Sequence, residues 1–131
     1  MNAVLDTSAA AAIVLQRRGS DPLVTAVQDA DLVLVPQLFV AEIVNTFWKY
    51  HHLHDMPLPD CQAALEDAIA LPDEIVAHEA LYREVFGMAC QSSSPAYDMF
   101  FLVLARRNDA LLVTADVKLT ERARKYGVRT L

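Results

Sequence analysis

The sequence predicts an α/β protein: a three-layer sandwich in which a central, mostly parallel sheet of four to five strands is flanked by helices. Short apolar runs of strand length, such as AVL at 3 to 5, LVLV at 32 to 35 and LLVT at 111 to 114, alternate with longer stretches whose apolar residues recur at helical spacing. Strands separated by helices pair in parallel through right-handed crossovers and are covered on both faces. A hydrophobic content of 54% over 131 residues can fill one core, so a single domain over residues 1–131 is expected.

In chain order, residues 2–6 read as a buried strand running into a helix through AAAAIVLQRR, with Thr7 or Ser8 to cap it and Gly19 to end it. A helix over about 22–30 precedes the second strand, Leu32 to Val35. Pro36 closes that strand, because the residue before a proline avoids the helical region, and itself opens the next helix. In that helix Phe39, Ile43 and Phe47 recur at i, i+4 and i+8 beside Val40 and Val44, which leaves Glu42, Asn45 and Lys49 on a neighbouring face. Met56, Pro57 and Pro59 interrupt the chain before a helix near 60–71 that Pro72 ends, making a helical hairpin of residues 38–70.

Residues 74–77 form a weaker strand candidate, followed by a helix over 79–91 and a serine loop. Ser94 as N-cap and Pro95 as first helical residue would put Asp98 in the first turn, and the MFFLVLA that follows is apolar nearly all round, as a buried central helix requires. After the strand at 111–114, a helix over 118–126 is stopped by Gly127, and Val128 to Leu131 completes the sheet as an edge strand.

The net charge of −6 excludes a simple nucleic-acid coat. It is unevenly placed: residues 106–131 hold seven bases against three acids, a surplus of four positive charges that leaves −10 on residues 1–105. A solvated helix face and an RNA-facing stripe of Lys118, Arg122 and Lys125 both fit this tail. The start, MNAVLD, has no basic region, and no uncharged run approaches the roughly 20 residues of a membrane helix, so a soluble cytoplasmic protein without a membrane partner is expected. Cys61 and Cys90 lack CxxC spacing and are expected as buried free thiols. His51, His52 and His54 are explained better by the helix dipole than by a metal, and Phe39, Phe47 and Trp48 better by core or interface packing than by base stacking.

Four acids stand out by context: Asp6 in VLDTS, Glu42 in VAEIVN, Asp98 in AYDMFFLVLA and Asp116 in LLVTAD. A carboxylate at the edge of a core is costly unless a cation or hydrogen bonds compensate it, so four of them suggest a shared hard divalent ion. Asp6 and Asp116 fall at the carboxyl ends of strands, where parallel sheets collect ligands, and the early turns of two helices bring Glu42 and Asp98 toward the same end. Taken singly, each acid also fits a helix cap or a surface position. Thr114, Asn45, Thr7 and Ser8 supply hydroxyl and amide groups that would orient a carboxylate or a water; strand packing, capping and interhelix hydrogen bonds are the other roles open to them.

The segments LDTS at 5–8, PQLFVAEIVN at 36–45, PAYDMFFLVLA at 95–105 and LLVTAD at 111–116, followed by Lys118 and Leu119, resemble those of the PIN-domain ribonucleases, most closely the VapC-type toxins of type II toxin–antitoxin systems. The resemblance spans residues 2–119. It implies a PIN-like fold and a Mg²⁺-dependent endoribonuclease that hydrolyses RNA phosphodiester bonds with a metal-activated water. Asp6, Glu42, Asp98 and Asp116 would be the catalytic ligands of Mg²⁺ or Mn²⁺. It also implies a homodimer and a cognate VapB-like antitoxin, whose C-terminal segment would lie across the cleft along the hairpin. Val117 to Thr120 supply no further acidic or amide residue, a departure from some members that leaves one ion or two as alternatives.

The alternative function is a non-catalytic PIN-like module that binds nucleic acid or protein. A haloacid-dehalogenase-type phosphatase needs a second acid two residues after the first, where this chain has Ser8, and a receiver-type phosphoacceptor needs an acidic pair near the end of strand one that is missing. The RNA target is not encoded in these motifs, since single-stranded RNA is recognised by loop shape, stacking and base edges.

Overall fold

Four parallel strands in the order β3-β2-β1-β4 form the sheet, and seven helices flank it, in a computed structural model that describes residues 1–131. The strands are β1 (Ala3–Leu5), β2 (Val33–Pro36), β3 (Glu74–Val76) and β4 (Leu111–Val113). The helices are α1 (Thr7–Val14), α2 (Asp21–Asp29), α3 (Leu38–His54), α4 (Leu58–Ala70), α5 (His78–Ser92), α6 (Ala96–Arg107) and α7 (Val117–Lys125). In register, Val4 faces Leu34 on one side and Leu112 on the other, so the two central positions go to the most apolar runs. The predicted α/β class with a parallel sheet is what forms.

β1 and β2 are buried at every position, as strands covered on both faces must be, whereas β3 is a half-exposed edge, which explains its weak signal in the sequence. α6 packs across β1, β2 and β4 and buries Met99 and Phe101 to Ala105, accounting for the uniformly apolar MFFLVLA. α3 and α4 pack together as the expected hairpin, with Phe39, Ile43 and Phe47 inward. A cluster of 31 buried hydrophobic residues joins these layers.

Several local expectations are corrected. Asp6 itself, not Thr7 or Ser8, is the N-cap of α1, its carboxylate accepting from the Ala9 amide, and the helix ends at Val14, well before Gly19. Pro36 is the last residue of β2, not the first of α3. Pro95 occupies the cap position of α6, and the Ser94 hydroxyl turns back to the Ser92 carbonyl. Residues 128–131 form no strand: a single bridge joins Leu112 and Thr130, and Arg129 is tied by its guanidinium to the carbonyl and carboxylate of Asp109. Cys61 is buried, but Cys90 is exposed. No helix is long and apolar enough to cross a membrane.

The α5–α6 pair carries an ion-pair network. Glu84 of α5 accepts from Arg106 at 2.6 Å and Arg107 at 2.7 Å, both on α6. These bonds hold its carboxyl below the usual range. A depressed acid contributes stability above its unfolded pKa and loses it as the pH falls through the folded value. Glu84→Gln is therefore expected to cost about 0.5–1 kcal/mol near neutrality, discounted for the exposure of both arginines, and nothing in strong acid. Urea midpoints at the two pH values check it; an equal cost at both would show that charge pairing is not the cause.

Candidate carboxylate site

Asp6, Glu42, Asp98 and Asp116 all line one elongated cavity of about 370 Å³. Each arrives by a different local rule. Asp6 follows β1 and caps α1, and Asp116 follows β4 and caps α7, accepting from the amides of Lys118 at 2.9 Å and Leu119 at 3.3 Å. Parallel neighbours β1 and β4 end together, so their caps are adjacent. Glu42 stands in the second turn of α3, and Asp98 in the first turn of α6.

Asp6 is the one charged side chain among the buried residues, 5% exposed. Its Oδ1 accepts from the Ser8 hydroxyl at 2.7 Å and the Ala9 amide at 3.0 Å, and its Oδ2 accepts from the Thr114 hydroxyl at 2.8 Å. Both hydroxyls in turn accept backbone amides: Ser8 takes that of Ala115 and Thr114 that of Asp116, each at 3.0 Å. Each hydroxyl proton is therefore spent on Asp6, and the junction after β1 is knitted to the junction after β4. Thr7 donates to Glu42 at 3.3 Å. Asn45 lines the cavity and is exposed, with no hydrogen bond of its side chain to another residue.

The electrostatics are unfavourable for anions. Burial raises the carboxyl of Asp6 above its ordinary value against the pull of its three hydrogen bonds, and the charge of Asp116 adds to the rise. Glu42 is raised by burial and by repulsion from Asp6 and Asp98, and Asp98 by burial and by Asp116 despite the opposing pull of Arg122. Arg122 of α7 donates directly to the Asp98 carboxylate, so one member of the expected RNA-facing stripe is spent inside the site. In this arrangement no three acidic, histidine or cysteine side chains are gathered closely enough to hold a metal ion. His51 bonds the Met56 carbonyl instead.

Sequence reasoning left Arg17, Thr46 and Tyr50 out of the site, yet all three line the cavity, as does Lys49. Only the i, i+4, i+8 relation of Glu42, Thr46 and Tyr50 could have flagged the two on α3. A larger cavity, about 610 Å³, opens at the other end of the strands beside Met1, Asp21 and Leu131, but none of its carboxylates bonds to another side chain, so chemistry points to the smaller one.

A family model for the PIN domain matches residues 3–125. The chain belongs to the PIN domain family. Within it, this PIN domain is similar to ribonuclease VapC3 of Pyrobaculum aerophilum, 24% identical over 124 residues that cover 93% of this chain and 95% of that protein. Its fold is shared by the crystal structure of PAE2754 from Pyrobaculum aerophilum, with a TM-score of 0.77 at 18% identity over 99% of this chain and 83% of the other. It is shared too by VapBC2 from Rickettsia felis, solved bound to a DNA fragment from the promoter of that pair, with a TM-score of 0.67 at 16% identity over 100% and 98% of the two chains.

Proposed function

We propose that this PIN-domain protein, a single domain over residues 1–131, is a Mg²⁺- or Mn²⁺-dependent endoribonuclease and the toxin of a toxin–antitoxin pair. The observation that carries the reading is the meeting of Asp6, Glu42, Asp98 and Asp116, distant in sequence, around one cavity of a PIN-family chain. The similarity to ribonuclease VapC3 supports RNA as the substrate, and the likeness to the VapBC2 complex supports a VapB-like antitoxin as partner. A cytoplasmic homodimer completes the proposal.

The residues fit a hard divalent ion in kind. All four donors are carboxylates, as Mg²⁺ and Mn²⁺ prefer, and the burial and mutual repulsion that push Asp6 and Glu42 upward are what a bound cation relieves. Their side chains would have to draw together to share an ion, and Asp98 is at present paired with Arg122. A bound ion would supply polarisation of the scissile phosphate and a more acidic water for in-line attack. The chain's own part is to hold that geometry. Thr114 and Ser8 fix both oxygens of Asp6, Thr7 steers Glu42, and Asn45 stands ready for substrate or a carboxylate.

Calorimetric titration with Mg²⁺ and Mn²⁺, paired with cleavage of single-stranded RNA with and without chelator, tests the reading. Metal binding and chelator-sensitive cleavage are expected. RNA binding without cleavage at any metal concentration would instead identify a non-catalytic PIN-like module.

A further inference from the structure

The cavity is a groove with two chemically distinct ends. It follows α1 from Thr7 and Ser8 to Arg17, beyond a helix of eight residues, or about 12 Å at 1.5 Å per residue. Along α3 it follows one face, from Glu42 through Asn45 to Lys49 and Tyr50. The four carboxylates occupy one end. At the other stand Arg17, Lys49 and Tyr50.

These two cations are not spent on the acids beside them. The five ion pairs of the molecule involve neither Arg17 nor Lys49. Arg17 is held instead over the Tyr50 ring, its guanidinium carbon 5.3 Å from the centroid, a contact that orients an arginine while leaving its N–H donors free. Its backbone is pinned as well: Gln16 takes a left-handed turn at φ 52°, and the Arg17 amide bonds the Ala12 carbonyl at 3.0 Å.

A polyanion drawn into a groove floored by four carboxylates is repelled unless cations neutralise its phosphates nearby. We propose that Arg17 and Lys49 form a backbone-phosphate subsite for single-stranded RNA, holding a phosphate that flanks the one at the carboxylates, with Tyr50 as the positioning residue for Arg17. The inference rests on the ribonuclease reading above and adds to it the direction in which the strand leaves the site.

The test is fluorescence anisotropy of a labelled single-stranded RNA over a salt series, in chelator so that nothing is cleaved. Wild type is compared with the double variant Arg17→Gln, Lys49→Gln, and with a control, Arg18→Gln, Arg83→Gln, that removes the same charge from exposed positions outside the groove and outside the basic tail. Each lost phosphate contact flattens the slope of log affinity against log salt by about 0.7. The groove variant is expected to bind roughly tenfold or more weakly with a slope shallower by about 0.7, to retain wild-type Mn²⁺ affinity, and to differ clearly from the control. Tyr50→Leu, which keeps the charge, is expected to weaken binding by a smaller factor. Equal loss in groove and control variants, or none in either, overturns the subsite while leaving the ribonuclease reading intact. Failure of the wild type to bind RNA in chelator likewise overturns the subsite, which must hold a phosphate without metal, and the ribonuclease reading falls only if cleavage is also absent in Mg²⁺ and Mn²⁺.

Discussion

Asp6→Asn is expected to lower RNA cleavage by at least about 10³-fold, the scale of several kcal/mol of lost charge stabilisation, while leaving the metal-free protein close to wild type in stability, because the relief of a buried charge offsets the lost acceptor for Thr114. The two halves of this expectation come from separate roles of one side chain. As a cap, Asp6 needs an oxygen, not a charge: asparagine is an equally good N-cap and keeps an acceptor for the Ala9 amide and the Ser8 hydroxyl, while its amide nitrogen faces Thr114, whose hydroxyl must turn to accept from it instead of donating. As a buried anion, Asp6 is a liability, its carboxyl raised by burial and by Asp116. Neutralising it removes a desolvation cost that only a bound cation would otherwise offset. Asp6→Ala separates the roles from the other side. It strands the Ala9 amide and both hydroxyl donors, and is expected to cost about 1–3 kcal/mol. Thermal unfolding in chelator and cleavage in Mg²⁺ are measured on both variants. Cleavage by the asparagine variant within about tenfold of wild type would remove Asp6 from the proposed ligand set. Destabilisation equal to that of the alanine variant would make its charge structural.

What could be read from the sequence was whatever depends on local pattern. Apolar runs bounded by proline and acid gave the three best strands, and the stripe of Phe39, Ile43 and Phe47 gave the buried face of α3 and with it the side from which Glu42 faces the cavity. The meeting of Asp6, Glu42 and Asp116 also followed, because parallel strands end on one edge and their following helices start there; Asp98 joins them from α6, which follows α5 and runs back toward the start of β4. Features decided by distant contacts did not follow. Val128 to Leu131 meets β4 at a single bridge, with the Leu112 amide bonding the Arg129 carbonyl, and no local periodicity encodes where such a ladder stops. Exposure of Cys90 depends on which face of α5 meets α6. The choice of Asp6 over Thr7 or Ser8 as cap reflects a competition that the sequence leaves balanced; it is settled because both hydroxyl groups, Ser8 and Thr114, are needed to hold that carboxylate against β4. The basic tail was visible as charge, but the partner of Arg122 lies 24 residues away, on another helix.

That partner leads to the other large effect: Arg122→Gln is expected to tighten divalent-ion binding. Arg122 and a cation at the carboxylates make the same demand on Asp98, and both cannot be met by its Oδ2. With 26% and 34% of the two side chains exposed, the pair is partly shielded from water, and its charge-assisted bond is a real competitor. Such bonds contribute about 1.5–3 kcal/mol, so their removal corresponds to roughly a 10- to 100-fold gain in metal affinity. The opposite outcome has an equally clear physical basis. If Arg122 serves to aim Asp98 at the site, glutamine in its place loosens the carboxylate and weakens binding. The sign of the change therefore decides between competitor and support, and Mn²⁺ calorimetry on chelator-stripped protein reads it directly. Stability supplies an independent check. Without metal, loss of Arg122 leaves Asp98 facing Asp116 and Glu42 uncompensated, so the variant's thermal midpoint in chelator falls, and added Mn²⁺ raises it by more than it raises that of the wild type. A variant equally stable in chelator and unchanged in affinity would mean that the Arg122–Asp98 bond is a surface contact without bearing on the site. A gain in affinity would instead mean that one helix, α7, capped by Asp116 and carrying Arg122, supplies both a proposed metal ligand and the rival for Asp98.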